Sequence, residues 1–123
     1  MPHTTYWEEK GMLIEWSGVI EATEVLKSNG AVYGDKRFDS IRYQINDLRN
    51  AEYASFTEKE INIISALELQ ASDWNRYMKM VHLTQDPKLI ADIRQYEKKM
   101  EASGWEFLIC STVAEARQWV SAS

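Results

Sequence analysis

Cysteine is nearly absent from this chain. Its one thiol, Cys110, excludes an intrachain disulfide and a metal site built from cysteine alone. Its setting in EFLIC reads as a buried strand thiol. Histidine is scarce too. His3 lies in a terminal stretch expected to fray and His82 lies between Val81 and Leu83, so the two do not form a metal pair. The five glycines stand singly, and neither GxGxxG nor GxxxxGK occurs, which argues against a nucleotide phosphate cradle. No internal repeat or low-complexity tract is present. No apolar run approaches the length of a membrane span. The opening MPHTTYWEEK lacks the basic and apolar segments of a signal peptide, which predicts a cytoplasmic protein. Basic charge is not in excess either. Fourteen Lys and Arg against nineteen Asp and Glu give a net charge of -5, which disfavours nonspecific nucleic-acid binding and attraction to anionic membranes. Lys36 and Arg37 are offset by Asp35 and Asp39.

What the chain does have is the composition of an ordinary folded domain, with 45% hydrophobic and 27% charged residues over 123 positions. One domain, residues 1–123, is expected. Five tryptophans and six tyrosines supply much of its core.

The organising stretch is Ile41–Leu48, IRYQINDL. Ile41, Tyr43 and Ile45 alternate with Arg42, Gln44 and Asn46, which predicts a strand closed by Asp47. Before it, Tyr6–Lys10 and Met12–Trp16 read as a hairpin turning at Gly11, with Ser17-Gly18 ending the second strand. Ile20–Asn29 reads as a helix stopped by Asn29-Gly30 and able to run on towards Tyr33. Gly34–Asp39 then forms a loop with Phe38 plugging the core. After a polar connection, Arg49–Phe56, Thr57 and Glu60 form a capping box for a helix over Glu58–Trp74. Its inward stripe is Ile61, Ile64, Leu67, Ala71 and Trp74. A strand over Tyr77–Leu83 follows. Next comes a helix capped by Asp86 and started by Pro87, whose stripe is Leu89, Ile93, Tyr96 and Met100. Lys98 and Lys99 face the negative end of its dipole. Trp105–Cys110 is the last strand. Thr112 and Glu115 form a second capping box for a final helix reaching Val120. Met1–Thr5 and Ser121–Ser123 read as flexible tails.

The order β-β-α-β-α-β-α-β-α predicts a single-domain α/β fold with a mixed sheet, parallel in its later strands and joined by right-handed crossovers. Arg42, Gln44 and Asn46 on an inner strand, with Glu15 and Glu106 on others, are too polar for a sheet covered on both sides. The helices are therefore expected mainly on one face, with part of the other wet or open to a partner. A ferredoxin-like or other α/β sandwich is the competing architecture.

No catalytic, cofactor or metal constellation emerges. Ser111, His82 and Asp47 or Asp86 make a hydrolase triad on paper, without the nucleophile-elbow pattern. Asp35, Asp39 and Asp47 lack the order of a calcium loop, and Glu8 and Glu9 point to opposite faces of a strand. Tyr53, Phe56, Trp74 and Tyr77, around the ends of the longest helix, suggest an apolar pocket or a peptide groove.

The layout resembles the STAS fold of anti-sigma-factor antagonists, in particular the SpoIIAA-like group, over Thr4–Val120. The residues that carry the likeness are RFDSIRYQINDL, the helix entered at Thr57 and the late EARQW. The resemblance implies a noncatalytic domain acting through a protein partner or a second copy of itself, a homodimer being compatible. It aligns Asp47 with the family's strand-end aspartate, and Ser55 or Thr57 with the serine phosphorylated by a partner kinase. The family's Asp-Ser-Ser-Gly pattern is replaced here by Ala54-Ser55-Phe56-Thr57, which departs from that switch. The residues singled out for interaction or ligand binding are Asp47, Tyr53, Ser55, Phe56, Thr57 and Trp74. The alternatives are a small apolar ligand or lipid in an aromatic-lined pocket, and a small hydrolase.

Overall fold

A computed structural model describes residues 3–53 and 55–122. Five strands form one sheet in the order of the chain: β1 (His3–Trp7), β2 (Gly11–Ile20), β3 (Tyr43–Tyr53), β4 (Lys79–Leu83) and β5 (Glu106–Cys110). β1 pairs antiparallel with β2, and every later pairing is parallel. Helices α1 (Ala22–Tyr33), α2 (Glu58–Ser72) and α3 (Pro87–Lys99) are the three crossovers. In a sheet built in sequential order, right-handed crossovers all land on the same face. These three helices accordingly form one layer. The shorter α4 (Val113–Ser121) packs on β3, β4 and β5, on the opposite face.

The expected architecture therefore holds, and most caps hold with it. Thr57 and Glu60 close a full capping box on α2, and Asp86 accepts from the Lys88 amide with Pro87 in the first turn of α3. At α4 the Thr112 hydroxyl accepts from the Glu115 amide. The Glu115 carboxylate accepts from the Thr112 hydroxyl instead of returning to the Thr112 backbone, so the second box is half formed. Phe38 sits on a 3-10 turn, Lys36–Asp39, and is wholly buried.

Several boundaries move. β2 runs through Ser17-Gly18 to Ile20, and α1 runs through Asn29-Gly30 to Tyr33. Asp47 does not close its strand: β3 extends to Tyr53, taking in most of the expected polar connection. Beyond Asp47 the strand has lost β4 and pairs with β2 alone. Gly11 is not the hairpin turn but the first residue of β2. Its missing side chain matters because a Cβ there would stand 2.3 Å from the Tyr43 ring. His3–Thr5 are strand, not tail, and the His3 ring lies 4.9 Å from that of Trp16. Met1, Pro2 and Ser123, the remainder of the expected tails apart from Ser121 and Ala122, lie outside the described residues.

The largest correction concerns the polar side of β3. Gln44 and Asn46 do not face water. They register against Met12 and Ile14, whose side chains belong to the core under α1–α3, and both are buried. Ile45, with Val81 and Leu83, forms the second core under α4. Glu15 pairs with Asp47 and Glu106 with Lys79, which puts them on the α4 side. A bulge resets the alternation: Glu15 faces Asp47, but Ser17 faces Asn50, so β3 carries one extra residue. After it, odd-numbered Ala51 and Tyr53 join the α1–α3 core.

Candidate functional site

The buried polar residues of β3 open onto a cavity of about 110 Å³ between the sheet and the three-helix layer. Its aromatic wall is Trp16, Tyr53, Phe56, His82 and Tyr96, and Leu48, Ile64 and Met80 are among its apolar residues. Five polar residues, Asn29, Gln44, Asn46, Glu68 and Asp92, also line it. Trp16 Nε1 and Gln44 Nε2 both donate to Asn46 Oδ1, at 3.4 and 3.1 Å. Asn46 Nδ2 donates to the Val81 carbonyl at 3.4 Å. Gln44 Oε1 and His82 Nδ1 are buried and have no hydrogen-bond partner among the described residues.

Glu68 is the buried carboxylate of this wall, Asp92 being only part-buried. It accepts from the Tyr96 hydroxyl at 2.8 Å and from Asn29 Nδ2 at 3.4 Å. Burial raises its pKa to about 7, and the hydrogen bonds from its neighbours only partly offset that rise. His82 goes the other way: burial disfavours its cation and lowers it to about 4. Its ring meets Tyr96 edge-on at 5.9 Å.

At the carboxyl end of β3 the Tyr53 hydroxyl donates to Asp92 on α3 and accepts from the Phe56 amide at 2.9 Å. The two aromatic rings pack edge to face at 5.1 Å. This clamp holds Ser55, which is exposed with φ of 72°, in the left-handed region. Thr57 follows as the helix cap, its hydroxyl accepting from the Glu60 amide. Ala54 lies outside the described residues.

The six residues singled out from sequence thus fall into three places. Tyr53, Ser55, Phe56 and Thr57 come together at the start of α2. Asp47 lies on the α4 side of the sheet, where Arg49 grips it with two hydrogen bonds of 2.9 and 2.7 Å and holds its carboxyl below the usual range. Trp74 lies past the opposite end of α2. It is 67% exposed, and Tyr77 is 74% exposed. Neither lines the cavity, whose lining takes only Tyr53 and Phe56 from that expected aromatic set. Thr57 caps the start of α2 and Trp74 lies past its end, and residues at opposite ends of a fifteen-residue helix cannot share one small pocket.

Sequence reading missed Gln44, Asn46, Glu68 and Tyr96 as cavity residues. A glutamate at the buried spacing of α2, three to four residues from Ile64 and Ala71, was the available signal. The paper triad is not assembled: the Ser111 hydroxyl lies against Glu115 at 3.4 Å, and Asp86 is a helix cap. Asp35 is held by Arg37, which lowers it to about 2, and Asp47 by Arg49. Among the described residues no group of three or more His, Cys, Asp or Glu is placed to hold a metal, and no helix is long and apolar enough to cross a membrane.

No protein-family model matches the chain, and no curated protein matches it. Solved structures do. An anti-sigma factor antagonist from Mycobacterium paratuberculosis superposes with a TM-score of 0.62 at 17% identity, covering 98% of this chain and 93% of that one. The anti-sigma factor antagonist SpoIIAA in its unphosphorylated form gives the same TM-score at 10% identity, covering 98% and 99%. The fold is therefore STAS/SpoIIAA-like over nearly the whole chain.

Proposed function

We propose that this chain is a noncatalytic STAS-like module that acts by binding a protein partner, or a second copy of itself, through the segment Tyr53–Thr57. The observation that carries this reading is the clamp at that segment. Tyr53 ties β3, α3 and the Phe56 amide together and presents Ser55 at the surface in a fixed, left-handed conformation. A preformed loop loses little conformational freedom on binding, which favours affinity. The fold shared with anti-sigma factor antagonists supports a regulatory role within that class of interaction.

If the segment is modified, Ser55 is the better acceptor, because the Thr57 hydroxyl already serves the cap. A phosphate there would join a stretch that already carries Glu52, Glu58 and Glu60, and would act by like-charge repulsion of a partner. The test compares wild type with Phe56→Ala and Ser55→Glu, using light scattering for self-association and pull-down from native extract for partners. Loss of association in folded loop variants supports the reading. Identical behaviour of all three, or no association in wild type, overturns it.

A second reading, a small apolar ligand held within the fold, is favoured by the aromatic-lined cavity beside the same segment.

A further inference from the structure

We propose that the cavity under α1–α3 binds a small aromatic molecule carrying one hydrogen-bond donor, an O–H or N–H directed at the Gln44 amide oxygen. This deepens the second reading above and rests on it.

The donor requirement follows from the wall, atom by atom. The Trp16 indole can only donate, so it fixes Asn46 Oδ1 as the acceptor between them. Asn46 Nδ2 is then turned to the Val81 carbonyl. The same Asn46 Oδ1 draws Gln44 Nε2, which leaves Gln44 Oε1 facing elsewhere with no partner. Gln44 is 3% exposed, so bulk water does not satisfy that oxygen. The hydroxyl, indole and carboxamide groups of the wall are engaged: Tyr53 on Asp92, Tyr96 and Asn29 on Glu68, Trp16 and Gln44 on Asn46. His82 Nδ1 is also unpartnered, but a neutral imidazole carries one N–H, so it does not by itself call for a donor. Leaving a buried acceptor without a donor is unfavourable. What the Gln44 oxygen lacks is a donor.

Size and shape set the rest. A dry cavity of about 150 Å³ accommodates benzene, and this one, at about 110 Å³, suits a single ring. Trp16, Phe56, His82 and Tyr96 offer aromatic faces and edges to it. The partly exposed lining residues Tyr53, Phe56 and Asp92 lie together at the end of β3, so the way in runs beneath the proposed interaction segment.

The experiment titrates the full chain with phenol and with toluene, which has the same ring but no donor, and follows Trp16 indole and Gln44 side-chain amide resonances. Toluene is the more hydrophobic of the two, so burial alone favours it. The expected result is tighter binding of phenol, by about fivefold, with both marker resonances shifting. In Gln44→Met the preference is lost while toluene binding persists. Equal or tighter toluene binding in wild type overturns the donor assignment and leaves the apolar-ligand reading standing. Absence of binding by either probe, or shifts confined to surface groups such as Trp74, overturns both. The wild-type comparison decides the matter even if Gln44→Met does not fold.

Discussion

Tyr96 on α3 donates its hydroxyl to Glu68 on α2 at 2.8 Å, inside the hydrophobic core. The bond joins two crossover helices through a carboxyl group that has left water. The Tyr96 ring also meets His82, a base whose Nδ1 is buried, edge-on at 5.9 Å. The two buried titratable groups are shifted in opposite directions, and that has consequences for stability.

Glu68 is raised from 4.5 to about 7 in the folded protein. Between those values the folded state holds a proton that the unfolded chain has released. Its stabilising contribution is full below pH 4.5 and is lost as pH rises through 7, an effect of about 3 kcal/mol. His82 is lowered from 6.5 to about 4. Its contribution is full above pH 6.5 and is lost as pH falls through 4. The opposing slopes cancel over roughly pH 4.5–6.5, so the wild type shows a flat profile there. Glu68→Gln keeps the shape and removes one slope, so its stability falls on acidification through that window. His82→Phe removes the other, so its stability falls as pH rises. Urea denaturation across pH 4–8 checks this, and a sloping wild-type profile unchanged by either variant contradicts it.

Tyr53→Phe deletes the hydroxyl that bridges Asp92 and the Phe56 amide. The amide loses its partner, and the expected cost is about 1–2 kcal/mol. Hydrogen exchange at Phe56 rises by more than exchange in the α2 interior. Equal changes in both would show that the clamp has no local role.

Gly11→Ala drives a methyl group into the Tyr43 ring. Tyr43 cannot yield freely, because its hydroxyl donates to Glu8, which Arg117 of α4 holds with a hydrogen bond of 2.7 Å. The expected destabilisation is about 1–3 kcal/mol, read as a shift of the denaturation midpoint. Adding Tyr43→Ala removes the clash, so the double variant costs less than the sum of the singles.

Ser55→Gly relaxes a residue at φ of 72°. Glycine adopts this region freely, whereas a β-branched side chain does not. Ser55→Gly is expected to be neutral or stabilising by a few tenths of a kcal/mol, and Ser55→Val to cost about 1–2 kcal/mol. Thermal melts of the pair check the order, and a valine variant as stable as the glycine one removes the case for a preformed loop.

Caps and stripes were legible before any coordinates because their causes are local. Thr57 and Glu60 stand three residues apart in the chain and one helical turn apart in space, and the same is true of the α3 stripe through Leu89, Ile93, Tyr96 and Met100. The sidedness of the helices was expected on the wrong ground, the polar row of β3, which is buried; it follows instead from sequential right-handed crossovers, which have one face available to them. Trp74 was misplaced because periodicity continues past the point where a helix stops: α2 ends at Ser72 and the stripe ends with it.

The amino-acid sequence alone determined the elements, their order and the absence of a recognisable phosphate or metal motif, because each depends on residues a few positions apart. The tertiary structure decided which side of β3 is dry. Alternation separates Gln44 and Asn46 from Ile45 but assigns neither to water. Only registry with Met12 and Ile14 on β2, and cover by α1–α3, turn that polar row inward. The same closure from distant parts of the chain brings Trp16, Glu68, His82 and Tyr96 around one cavity. No spacing in the chain encodes that gathering, since it follows from the packing of a helix layer on a sheet.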